Sequence, residues 1–182
     1  MLVQHSSKTN EYYTPPYLAE AIRDFLGGID LDPASCEEAN KVIGATRYYS
    51  QALDGLSLPW GSWDKPQTVF CNPPGGKVNN KSQAKMFWQQ GITQRLSGHL
   101  KEAVFLFFNP NILQTSQHDC HKSVTDFPIC FLDHRVKYLD QSGQTVDSPP
   151  GISLLVYLPG AVDRRVEFAE AFISHGETMF PV

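Results

Sequence analysis

The stretch Asn72-Pro73-Pro74-Gly75 holds the residue types that most directly suggest chemistry. Asn72 carries an amide that both donates and accepts hydrogen bonds. Pro73 and Pro74 have no amide hydrogen, and each pushes the residue before it toward an extended backbone. The Asn72 side-chain oxygen and the Pro73 carbonyl can therefore each accept one hydrogen of a planar amine. Such an amine, that of adenine for example, is a poor nucleophile because its lone pair is delocalised into the ring. Two fixed acceptors favour a pyramidal nitrogen with its lone pair free to attack a methyl donor. No base is needed before attack, since the nitrogen becomes acidic only after it takes the methyl. Catalysis would then be positioning plus preorganised dipoles. The same residues also fit a plain loop, because Asn-Pro commonly initiates turns.

The preceding residues say where this loop should sit. Val69-Phe70-Cys71 reads as a short buried strand, and the prolines must end it. The loop then lies at the carboxyl end of a strand, where ligands bind in open α/β sheets. Upstream, Thr14 is expected to cap a helix with Pro15 at its first position. Leu18, Ile22, Phe25 and Leu26 share one face of that helix, and Gly27-Gly28 stops it. Ile29-Asp30-Leu31-Asp32-Pro33 reads as a strand ended by proline. An acid at such a strand end can hold the two hydroxyls of a ribose, and Asp30 or Asp32 could do this. Both could instead cap the helix expected from Ser35 and Glu37-Glu38. Asp54 could accept from an adenine amino group, or serve as the turn residue that Asp-Gly signals. Lys77, Lys81 and Lys85 cluster after the central loop, either facing a substrate or forming a solvated surface.

The remaining elements alternate. A short strand is expected within Ala45–Ser50 and a helix over Ala84–Leu96, carrying Phe87 and Trp88. The fully apolar run Ala103–Phe108 should be a central strand, and it too ends in Asn-Pro. Phe127–Leu132 and Ile152–Leu158 read as strands of a hairpin with a long tip at the sheet edge. Residues 164–174 suggest a last helix. His118, Cys120 and His121 do not have the paired close spacing of a zinc site, so no metal is expected.

A chain of 182 residues, 41% hydrophobic and 19% charged, has the size and composition of one soluble globular domain. Residues 1–10 are polar and expected to be loose. No run approaches the ~20 apolar residues of a membrane helix, and the amino terminus has no signal-peptide core. Four cysteines without close pairing suggest reduced thiols in a cytoplasm. A net charge of −4 argues mildly against tight non-specific nucleic-acid binding, without excluding a local basic patch.

Five motifs taken in order resemble the phage-type DNA adenine methyltransferase family. They are Tyr13-Thr14-Pro15, Ile29–Ser35 with Asn40, Asp54-Gly55-Leu56, Asn72–Gly75, and Arg135-Val136-Lys137-Tyr138. The resemblance implies a Rossmann-like sheet with helices on both faces and a C-terminal β-hairpin. It also implies S-adenosylmethionine as donor and adenine in DNA as acceptor. It assigns Thr14-Pro15 to the donor's methionine part, with Tyr13 beside them in the donor site, and Asp30 to the ribose, with Asp32 as the near alternative. Asp54 faces the donor's adenine, and Asn72 with the Pro73 carbonyl is the catalytic pair within Asn72–Gly75. Arg135, Lys137 and Tyr138 line the target-base pocket, with Lys77 and Trp88 on the substrate side. The chain departs from the family in two places. No Gly-rich loop precedes Asp30, so the usual first strand and helix are truncated or replaced by the amino-terminal segment. Gly75 stands where many relatives carry Tyr or Phe to stack on the flipped base. Phe87, Trp88, Phe108 or Tyr138 would have to substitute. No separate recognition domain is expected from this sequence, and a homodimer or helper protein is the expected partner besides DNA. Other readings are methylation of RNA, a nucleotide or a protein glutamine, or an inactive donor- or DNA-binding protein.

Overall fold

The computed structural model describes residues 12–114, 123–146 and 151–181. Its centre is a seven-stranded sheet in the order β2-β1-β3-β6-β8-β7-β9. These strands are β1 (Leu31–Asp32), β2 (Arg47–Tyr48), β3 (Gln67–Cys71), β6 (Leu100–Phe107), β7 (Ile129–Leu132), β8 (Leu154–Pro159) and β9 (Gly176–Met179). A separate two-stranded hairpin joins β4 (Lys77–Val78) to β5 (Lys81–Ser82). β2, β1, β3 and β6 pair in parallel. β8 is antiparallel to both β6 and β7, and β9 is antiparallel to β7. β7 therefore runs with the parallel set, so five of the seven strands share one direction.

Alternation along the strands builds two cores. Val104 and Leu106 of β6, with Leu155 and Tyr157 of β8, face α1 (Pro16–Leu26) and α4 (Arg165–Phe172). Ile43 of α2 (Glu37–Ile43) joins that core. Ala103, Phe105 and Phe107, with Leu154 and Val156, face α3 (Gln83–Leu96). Helices thus cover both faces of an α/β sheet. Gly91 lets α3 lie close, since a Cβ there would sit 2.5 Å from Phe105 Cζ. Near the amino end of β6, buried Glu102 accepts from Arg164 at 2.8 Å and from the Tyr157 hydroxyl at 3.0 Å, tying α4 to the sheet.

Several local expectations shift. The apolar face of α1 is buried as its spacing predicts. Its N-cap is Pro15, however, and Pro16 takes the first turn, so Thr14 does not cap it. The cap of α2 is Cys36 rather than Ser35. Asn40 clips the end of α2 to the next turn through two hydrogen bonds with Ala45. The hairpin of β7 and β8 is present, but β8 is buried between β6 and β7, and the edge belongs to β9. That strand follows α4 with polar alternation Gly-Glu-Thr-Met, which offered little apolar signal. The His118, Cys120 and His121 group lies outside the described residues. Among the described residues no cluster of His, Cys, Asp and Glu could hold a metal. No described helix is long and apolar enough to cross a membrane.

Candidate functional site

The chain leaves β1 toward β2 on one side and returns to β3 on the other. Their carboxyl ends therefore diverge at a topological switch point, where open α/β sheets form ligand crevices. A cavity of about 270 Å³ lies there, bounded by the loops after β1 and β3 and by the segment before α1. It is just below the ~300–1,000 Å³ common for small-molecule sites. A wider groove continues from it past Tyr13, Cys36, Ser50 and Gln51.

Asn72 is the best-defined group on this cavity. Its amide nitrogen donates to the Tyr12 carbonyl at 2.7 Å and to Thr14 Oγ1 at 3.2 Å. Both amide hydrogens are thereby committed, so the end of the amide left for a ligand is its acceptor oxygen. Among the described residues that oxygen and the Pro73 carbonyl receive no hydrogen bond. The clamping segment is itself anchored, since Tyr13 and Leu139 exchange backbone hydrogen bonds of 2.8 and 2.9 Å. From the other side, Gln83 at the start of α3 holds the loop, donating from Nε2 to the Gly75 carbonyl at 2.8 Å.

The two candidate ribose acids separate in space. Asp30 turns away from the cavity, and its carboxylate accepts from the Thr68 amide at 2.9 Å. Asp32 lines the cavity and is 2% exposed. It accepts from the Ala34 amide at 3.0 Å. Burial pushes its carboxyl up to about 7, against the lowering effect of hydrogen bonds from Ala34 and Ser35. Neighbouring Cys71 is buried, and its thiol is pushed well up by that burial and by Asp32, so it is no nucleophile.

Asp54 reaches the cavity from the far loop in a left-handed conformation, φ 53°. Its carboxylate accepts from the Leu56 amide and the Ser57 hydroxyl, so it also closes the turn that Asp-Gly signals. Gly55 makes that approach possible. A Cβ there would sit 1.9 Å from the Pro33 carbonyl oxygen, a backbone atom. Gly55→Ala is expected to cost about 1–3 kcal/mol by forcing the two loops apart. It should lower the denaturant midpoint at unchanged slope. A wild-type midpoint would show that the loops separate freely.

The other expected site residues divide. Tyr13, Thr14, Pro73, Pro74 and Gly75 line the cavity; Pro15 is buried as the cap of α1 and does not. Trp88 is a core residue, 1% exposed and edge-on to Phe105, Phe107 and Phe127. Tyr138 is fully buried, with its hydroxyl on Ser153 at 2.9 Å. Neither can be reached by a ligand in this cavity. Lys77 and Lys81 stand exposed on the β4–β5 hairpin beside the central loop, whereas Arg135 and Lys137 are exposed beyond β7, and none of the four lines the cavity. Tyr12, Tyr49 and Gln83 line it without having been singled out for donor or acceptor, and of the four rings named as substitutes at Gly75 only Phe87 and Phe108 line it. For Phe108 a signal existed, because its strand ends in the same Asn-Pro pair. The Tyr12 carbonyl acts on a residue sixty positions away, which no local pattern encodes.

No protein-family model, curated protein or solved structure matches this chain. The fold and cavity define an α/β protein with a crevice at the carboxyl edge of a mostly parallel sheet.

Proposed function

We propose that the protein is an S-adenosylmethionine-dependent methyltransferase of Rossmann-like architecture that acts on the exocyclic amine of adenine in DNA. The observation that carries this reading is the Asn72 amide, with both hydrogens committed to Tyr12 and Thr14 and its oxygen left on the cavity. That is the orientation needed to accept a hydrogen from a planar amine, with the Pro73 carbonyl as the second acceptor. The donor would supply the methyl group, its carbon–sulfur bond breaking as the amine nitrogen bonds to the methyl carbon, while Asn72 and the Pro73 carbonyl hold the amine hydrogens and the released proton goes to solvent.

The cavity's side chains fit the donor. Asp32 is a buried acid with few partners, and a ribose diol would supply the hydrogen bonds that its carboxylate lacks. Asp54 at the far loop can accept from the donor's adenine amine. The donor supplies an electrophilic methyl group; the protein supplies position. The exposed Lys77 and Lys81 offer phosphate contacts on the acceptor side. An adenine in a duplex must leave the stack to reach Asn72.

Purified protein incubated with methyl-labelled S-adenosylmethionine and unmethylated duplex DNA, single-stranded DNA or RNA tests the proposal. Label recovered as methyladenine from DNA is the expected result. Donor binding without label in any nucleic acid would overturn the DNA assignment and direct the search to a nucleotide or a protein glutamine. Thr14→Val keeps the side chain's shape and removes one of the two Asn72 anchors. A net ~0.5–1.5 kcal/mol hydrogen bond predicts a fall in turnover of up to about tenfold, with Thr14→Ser near wild type. Equal rates in all three proteins would show that the Tyr12 carbonyl suffices.

A further inference from the structure

Gly75 presents no ring to an acceptor, whereas Phe108 lines the same cavity as Asn72. We infer that Phe108, braced by Tyr12, is the stacking platform for the planar acceptor, an inference that rests on the methyltransferase reading. Trp88 and Tyr138 are excluded by burial. Phe87 borders the cavity but is 6% exposed and belongs to the core beneath α3. Phe108 is half-buried, lines the same cavity as Asn72, and immediately follows β6.

The strand register explains why Phe108 and Asn72 meet. β6 pairs in parallel with β3, Cys71 lying opposite Phe105, so both chains leave the sheet side by side. Alternation sends Phe108 to the α1 face of the sheet, where it packs against the core with Tyr12. Tyr12 then serves both groups. Its carbonyl holds the Asn72 amide, and its ring lies 5.4 Å from the Phe108 ring at an interplanar angle of 38°. A second ring, that of Tyr138, backs Tyr12 edge-on at 5.6 Å. One residue thus fixes the acceptor oxygen and the aromatic face relative to each other. That pairing is what a flat heterocycle with an exocyclic amine requires: a surface for its ring and an acceptor for its N–H. Aromatic stacking is tolerant of base identity, so Phe108 would hold the ring while Asn72 selects the amine.

The test uses full-length protein, its Phe108→Leu variant, which keeps apolar contact with Tyr12 but has no ring, and Phe108→Tyr, which keeps the ring. Phe108→Ala serves as a further variant if leucine distorts the fold. Methyl transfer to adenine-rich single-stranded DNA gives acceptor KM and kcat separately, and calorimetry gives donor affinity. Fluorescence of an oligodeoxyadenylate carrying one 2-aminopurine reports stacking without any reaction. In Phe108→Leu the acceptor KM should rise roughly 10- to 100-fold and 2-aminopurine quenching should disappear. Donor affinity should hold, and Phe108→Tyr should resemble wild type. Unchanged KM and quenching in Phe108→Leu would overturn the inference. So would a loss confined to donor affinity, which would place the ring under the donor's own adenine. Wild-type quenching that needs Phe108, without any methyl transfer, would leave the platform standing and overturn the methyltransferase reading instead. Absence of quenching in the wild type counts against the platform whether or not transfer occurs.

Discussion

Asn72→Ala is expected to lower methyl transfer by about 10²–10³-fold, the usual cost of removing one preorganised polar group from a reacting centre. Donor affinity should stay near wild type, because Asp32 and the β1 loop are untouched. The reason is directional. The clamp from Tyr12 and Thr14 leaves only the oxygen of the Asn72 amide for an acceptor amine. Alanine removes that oxygen and also strips two partly buried acceptors of their donor, costing about 1–3 kcal/mol of stability. Asn72→Asp distinguishes the two effects. It keeps an acceptor oxygen of the same reach, but it can no longer donate to the Tyr12 carbonyl, so the clamp loosens while the acceptor remains. Turnover above the alanine variant but below wild type would show both parts acting. Near-normal turnover in Asn72→Ala, measured with labelled donor, would remove Asn72 from the reaction altogether.

Asp32→Asn should change two pH profiles in opposite senses. Burial raises the Asp32 carboxyl to about 7 in the ligand-free fold. A diol is held best by the ionised acid, so donor affinity should increase about tenfold between pH 5 and 6 and level off above about 8. In Asp32→Asn that dependence should vanish, and affinity at pH 8 should fall by ~1.5–3 kcal/mol, the worth of a hydrogen bond to a charged group. For folding the sign reverses. The folded chain holds this proton more tightly than the unfolded chain, whose aspartate titrates near ~3.9. The group's contribution to stability is full below about pH 4 and is lost as pH rises through about 7. The separation corresponds to a loss on the order of a few kcal/mol. Asp32→Asn should therefore denature at higher denaturant than wild type at pH 8 and lose that advantage at pH 4. A pH-independent gap between the two proteins would show that Asp32 titrates normally.

Much of the framework is local, and local patterns were enough to find it. Leu18, Ile22, Phe25 and Leu26 predict α1, and the run ending at Cys71 predicts β3, because amphipathic spacing and proline act over a few residues. The prolines after Asn72 likewise place a loop at a strand's carboxyl end without any knowledge of the neighbours. Errors of one residue at the α1 and α2 caps reflect closely competing choices among adjacent capping residues. Trp88 was misjudged for a different reason. An aromatic on a helix has the same local signature whether it meets solvent, ligand or core, and only the placement of α3 over Phe105 decides.

The amino-acid sequence by itself determined the α/β alternation, the strand ending at Asn72 and the amide available there, since each follows from periodicity or backbone chemistry within a short window. Only the tertiary structure decided which acid, Asp32 rather than Asp30, borders the cavity, because the Asp30 carboxylate is taken up by the Thr68 amide of the neighbouring strand while Asp32 stands where β1 ends at the crevice. It also decided which way the Asn72 amide points and which ring accompanies it. Those depend on Tyr12, Thr14 and Phe108 arriving from distant parts of the chain, and the sheet register that brings them together is set by two cores packing at once.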